Sequence, residues 1–135
     1  MAAFKKQSGR QQPIVAVALF DFTQLVSAAA KGLIELPPGA EVLSGAIVTT
    51  IVWNSGTSDV AVVGDAGSAN RYRASATFAA VGRYALTPTG YVTTAPTNVT
   101  ITWTGAGTAI TTGSARLMVE YIVHGRSQFN QGLDD

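Results

Sequence analysis

The stretch WNSGTSDVAVVGD at residues 53–65 brings together Asn54, Asp59 and Asp65, three oxygen-bearing side chains of the kind that bind a hard cation such as Ca²⁺. A calcium loop of the helix-loop-helix type also needs ligands at alternate positions and a closing bidentate Glu. Here the spacing is wrong and the Glu is missing. The stretch therefore reads as a hairpin: a strand ends at Trp53, turns through Asn-Ser-Gly-Thr-Ser-Asp, and returns as Val60 to Val63. Asn, Gly, Ser and Asp suit such a turn because they accept positive φ or bond their own backbone. Directly after it, Gly64 to Gly67 with Ser68 offers glycines but neither the Lys nor the helix of a phosphate-binding loop, and reads as an exposed loop.

Other residues with chemical potential stand alone. Arg71 and Arg73 flank Tyr72; on one strand they would share a side and grip a phosphate, a base or a carboxylate, or pair with acids of this chain or a neighbour. His124 is the chain's one histidine, at a strand end beside Gly125 and Arg126. A catalytic base needs an orienting acid and a nucleophile, and nothing places Ser114 or Ser127 beside it. Glu35 and Glu41 flank a rigid Pro-Pro turn, where solvated positions are expected. With no cysteine, disulfides, zinc-thiolate sites and thiol nucleophiles are excluded. The sequence assigns no catalytic residue, no cofactor, no metal ligand and no small-molecule substrate. A stacking platform for carbohydrate, built from Trp53, Tyr72 and Tyr91, is an alternative that requires these rings to be exposed; burial of Trp53 and Trp103 would remove it.

The elements that must carry these residues are strands. In NVTITWT, Val99, Ile101 and Trp103 share one face and the intervening Thr residues the other. In ARLMVEYIVHG, Leu117, Val119, Tyr121 and Val123 alternate with Arg116, Met118, Glu120 and Ile122. GAGTAITTGS between them reads as a hairpin loop. PIVAVALF is apolar on both faces, and AIVTTIVW nearly so; such a strand sits mid-sandwich or has its outer face covered by a partner. Leu33 to Leu36 is a short strand stopped by Pro37-Pro38-Gly39. Ser75 to Val81, Arg83 to Leu86 and Tyr91 to Thr93 are weaker strands, with a tight turn at Thr87–Gly90. Asp21-Phe22-Thr23-Gln24 resembles a helix capping box, so QLVSAAAKG is a helix ending at Lys31-Gly32, or else a loop or strand edge. The expected fold is all-β: an antiparallel, jelly-roll-like sandwich of about eight short strands, anchored by Trp53, Trp103 and Tyr121.

Composition suggests adhesion. Charged residues make up 13% of the 135, against about 25% in an average soluble protein. Hydrophobic residues reach 47% and the net charge is +1. Such a surface favours association. No apolar run suggests a membrane span, and no signal peptide is read. The expected organisation is an arm at 1–12, a sandwich at 13–125 and a tail at 126–135. Phe4, Lys5, Lys6 and Arg10 make the arm aromatic and basic, while Phe129 and Leu133 put apolar anchors in the tail. These six are the expected partner contacts. Nucleic acid is a poor candidate partner, because so few charges neutralise too few phosphates.

The ordered set IELPPGAEVLSGAIV, WNSGTSDVAVVGD, NRY, ALTPTGYVTT, VTITWTGAG and ARLMVEYIVHGRSQFNQG resembles a group of small capsid decoration, or cement, proteins of tailed bacteriophages, over about Asp21 to Gly132. The resemblance implies a jelly-roll or related sandwich without catalytic residues. It implies a place on the virion surface, as a homodimer or homotrimer bound across junctions of the major capsid protein. Tail and head-tail joining proteins share this composition and remain open as alternatives.

Overall fold

The computed structural model describes residues 12–124. Eight strands follow one another: β1 (Ile14–Asp21), β2 (Ala30–Leu36), β3 (Ala40–Ile51), β4 (Gly56–Gly64), β5 (Arg73–Thr77), β6 (Gly82–Ala85), β7 (Thr97–Gly107) and β8 (Ser114–Val123). They form two four-stranded antiparallel sheets, ordered β1-β8-β3-β6 and β2-β7-β4-β5. The pairing has a simple rule. β1 pairs with β8, β2 with β7, β3 with β6, and β4 with β5. The chain's first half is thus zipped against its second half in reverse order, and the resulting ribbon is wrapped so that successive strands alternate between sheets, except β4 and β5, which are neighbours in one sheet. This is the jelly roll, two interlocked Greek keys. The expected sandwich and strand number are observed.

Alternation builds the core. Leu36, Ile47, Val63, Val99, Ile101, Leu117 and Val119 point inward and are fully buried. At one end of the sandwich Phe20, Trp53, Phe78 and Trp103 form an aromatic cluster with neighbouring ring centroids 4.7–6.2 Å apart. The three expected anchors, Trp53, Trp103 and Tyr121, are all buried.

Three local expectations fail: two hairpins and one tight turn. The two hairpins do not exist. β3 and β4 lie in different sheets, so the turn after Trp53 is a crossing from one layer to the other, and so is the β7–β8 connection. Of the two readings of QLVSAAAKG, the loop or strand edge is observed, and helical geometry is limited to one 3₁₀ turn, Phe22–Gln24. Its capping box forms: Asp21 Oδ1 accepts from Thr23 N at 2.9 Å, and Gln24 Oε1 from Asp21 N at 2.9 Å. The chain then leaves helical geometry at Leu25, which is buried. Ala28 N donates to Trp103 O at 2.7 Å, and Ala30 to Leu36 pairs with β7 instead. Ladder pairing outweighs a helix propensity worth only tenths of a kcal/mol per residue. Thr87–Gly90 makes no turn closed by a bond from Gly90 N to Thr87 O; Thr87 N donates to Tyr72 O at 2.6 Å.

Candidate interaction surface

The stretch 53–65 is a structural clip. Asp59 is buried and its two oxygens accept from Trp103 Nε1 and from Ser55 N, each at 2.9 Å. Asn54 Oδ1 accepts from Thr111 N (2.8 Å) and Thr112 N (3.1 Å), and Asn54 Nδ2 donates to Thr111 Oγ1 at 2.7 Å. The two crossings between sheets are therefore stitched to each other. Asp65 accepts from the backbone of Gly67 and Ser68 at 3.0 and 2.9 Å, so the carboxylate itself occupies the amide nest that a phosphate would need. Its other oxygen accepts from Arg71 Nε at 2.6 Å. Among the described residues no group of three or more acidic or His side chains is placed to hold a metal.

The arginines are consumed internally. Arg71 stacks on Tyr91 at 3.7 Å from the ring centroid, and the hydrogen bond to Asp65 is the main cause that raises its pKa above the ordinary value. Arg73 donates to the carbonyls of Ser75 and Ala85 and sits 5.0 Å from the Tyr84 ring. The two do not converge on one site. Tyr72 is buried, and that burial, reinforced by the Asp65 charge, pushes its hydroxyl up to about 12. With Trp53 and Tyr72 inside the sandwich, the carbohydrate platform is ruled out. His124 Nε2 lies 2.6 Å from Glu41 Oε1 and its backbone N donates to Gly39 O at 2.7 Å. It pins the end of β8. Glu41, expected to be solvated, is the partner in that pair.

What remains is a surface. On the outer face of the β1 sheet the register sets side chains in rungs. Val15 faces Glu120, which faces Ser44. Val17 faces Met118, then Ala46 and Ala85. Leu19 faces Arg116, then Val48 and Arg83. The β1 members are open to solvent, at 62% for Val15, 54% for Val17 and 76% for Leu19. A shallow groove bounded by Val15, Met118, Arg83 and Glu120 lies beside them. Among the described residues β1 has a free edge as well as a free face, because it ends its sheet. The other three edge strands carry features that discourage further pairing. β6 has four residues and an Arg, β5 has five and opens on Arg73, and β2 has a bulge and Lys31. β1 runs for eight residues without a register shift and without a charge before Asp21. The two-faced apolar reading of PIVAVALF therefore lands on an edge strand. The six expected contact residues, Phe4, Lys5, Lys6, Arg10, Phe129 and Leu133, lie outside the described residues. Their segments join the fold at one corner: Ile14 pairs with Tyr121, and β8 ends at Val123.

Among solved structures, a chain of the cyanophage Pam1 capsid asymmetric unit matches with 29% identity and a TM-score of 0.71, over 91% of this chain and 92% of that one. The chain is phage-capsid-related. Two further capsid chains share the fold. One, from the acid-stable capsid of Helicobacter pylori bacteriophage KHP30, has 18% identity and a TM-score of 0.61, covering 84% of this chain and 93% of its own. The other, from the capsid of Ralstonia phage GP4, has 16% identity and a TM-score of 0.57, covering 84% and 86%. No family model and no curated protein matches. For this phage-capsid-related chain the likeness supports a structural role in the virion. The rungs of Arg116, Met118, Glu120 and Arg83 are the part that sequence reasoning missed. The alternation of β8 marked three of them as outward, but only the sheet order puts them beside β1.

Proposed function

We propose that the protein is a capsid cement: it associates with itself and binds across junctions of the major capsid protein on the outside of the shell. The observation that carries the reading is the match to a Pam1 capsid chain over nearly the full length of both. The exposed apolar edge of β1, on a chain with 13% charged residues, supports it. A cement works by adding buried contact between neighbouring subunits. Apolar burial contributes about 25 cal/mol per Å², much of it lost to association entropy, and many copies on a closed shell recover affinity through multivalency. The sandwich is the rigid body. The arm, with Phe4, Lys5, Lys6 and Arg10, and the tail, with Phe129 and Leu133, reach across a seam and resist outward pressure from packaged DNA.

The test is addition of the purified chain to shells that lack it, followed by imaging. The full chain decorates the shells at symmetry-related junctions; a version without residues 1–12 stays folded and decorates poorly. Equal decoration by the two would remove the arm from the mechanism, and failure of the full chain to bind any shell would remove the cement reading itself.

A further inference from the structure

We infer that the free edge of β1 is the docking site for the C-terminal segment, residues 125–135, of a second copy, which adds to the sheet as an antiparallel strand. The inference rests on the self-association proposed above and names the surfaces that meet.

An edge strand offers a row of unpaired backbone N–H and C=O groups, and an added strand gains affinity from these and specificity from alternate side chains. β1 supplies both. Val15, Val17 and Leu19 alternate along it and are more than half exposed. In the segment RSQFNQGLDD, Phe129 and Leu133 are four residues apart, as are Val15 and Leu19. On a strand, residues separated by four share a face. Setting Phe129 beside Leu19 and Leu133 beside Val15 in the antiparallel sense brings Arg126 near Asp21. It carries Asp134 and Asp135 to the Ile14 end of the strand, away from Asp21. Apolar groups then meet apolar groups, and Arg126 meets the opposite charge of Asp21. The parallel register sets Asp135 beside Asp21 and loses this match.

The segment belongs to another copy for a geometric reason. β8 already runs antiparallel to β1. Past Val123 it is held on course by the bond from His124 N to Gly39 O and by the His124–Glu41 pair. To lie antiparallel along its own β1, the chain would first have to travel back the length of that eight-residue strand, which uses most of the eleven residues available. A neighbour's segment needs no reversal. Such a head-to-tail contact closes into a ring when the rotation allows.

The chain has no cysteine, so introduced thiols report cleanly. V15C, L19C and L133C are made singly in the full chain, mixed in pairs and oxidised mildly. Neighbouring strands bring Cα atoms within disulfide range only at matched positions. The expected result is a V15C–L133C dimer formed at least tenfold faster than the L19C–L133C dimer. Equal rates, or the reverse preference, overturn the register. In the V15C/L133C double variant, a product that is wholly intrachain at all protein concentrations overturns the second copy. Light scattering and shell decoration with the unmodified chain are read in parallel. If these succeed while no cross-link forms, the docking inference fails and the cement reading stands; if both fail, the cement reading falls first.

Discussion

Removing the Asp59 carboxylate should unfasten the end of the sandwich. Asp59 is 1% exposed, and its oxygens take the Trp103 indole N–H and the Ser55 backbone N–H. Its carbonyl accepts from Phe78 N at 2.8 Å, and Phe78 O accepts from Trp53 N at 2.9 Å. Asp59 thus sits where the crossing after Trp53, the strand β7 and the aromatic cluster meet. In Asp59→Ala two buried donors lose their acceptors, and each such orphan costs about 1–3 kcal/mol. The backbone bonds survive. The sum is roughly 4 kcal/mol, a large share of the 5–15 kcal/mol that holds a typical domain together. Asp59→Asn keeps one oxygen, restores one of the two bonds and should lose about half as much. Urea titration followed by tryptophan fluorescence measures both, since Trp53 and Trp103 lie in the affected cluster. The order wild type, Asn variant, Ala variant in midpoint is the expected outcome. An Ala variant within about 1 kcal/mol of wild type would show that the crossing is held by the core alone, and the clip would lose its meaning.

Three further perturbations address the surface and the interior. Val17→Glu or Leu19→Glu puts a charge on the open row of β1; each should weaken self-association at least about tenfold by sedimentation, while the urea midpoint of the body barely moves. Tyr72 has a folded pKa of about 12 against an ordinary 10. The unfolded chain therefore gives up this proton first, and the contribution, intact below pH 10, declines as pH rises toward 12. Roughly 2–3 kcal/mol should be lost across that window in wild type and not in Tyr72→Phe, as read by denaturation at fixed pH steps. Raising salt from about 0.05 to 0.5 M should weaken shell binding of the full chain more than that of the version lacking residues 1–12, because exposed charges are screened and apolar contact is not; identical salt dependence would take the basic arm out of the contact.

The sequence showed the strands more clearly than their connections. VTITWT and ARLMVEYIV alternate strictly, and the structure buries Val99, Ile101, Trp103, Leu117, Val119 and Tyr121 as that alternation requires. PIVAVALF announced a strand with one apolar face too many, and that face is open. The crossings were misread as hairpins because Asn, Gly, Ser and Thr satisfy either geometry. What decides is which strand Val60 to Val63 pairs with, and the partners, β5 and β7, come later in the chain. At QLVSAAAKG the loop or strand edge prevails over the helix for the same reason. Its cap is local and formed; the pairing that took Ala30 to Leu36 is not local. The outer rungs were beyond reach because a face shared by four strands needs the sheet order.

Charge is distributed unevenly along this chain, and the distribution bears on how it holds its neighbours. Six of its seventeen acidic and basic residues, Lys5, Lys6, Arg10, Arg126, Asp134 and Asp135, lie in the two end segments. Within the body, Asp65 and Arg71 neutralise each other, Asp59 is buried, Arg73 is turned onto carbonyls and Glu41 is paired with His124. Six other charged residues of the body, Asp21, Lys31, Glu35, Arg83, Arg116 and Glu120, are at least partly exposed. A neighbour lying on the outer face of the β1 sheet must pair Arg83, Arg116 and Glu120 or leave them hydrated, because desolvation costs several kcal/mol per buried charge. The end segments carry opposite signs in sequence, basic at the start and acidic at the finish, so under the proposed self-association contact between unlike ends is favoured over contact between like ends. On the cement proposal, apolar contact supplies most of the adhesion and charge selects its direction.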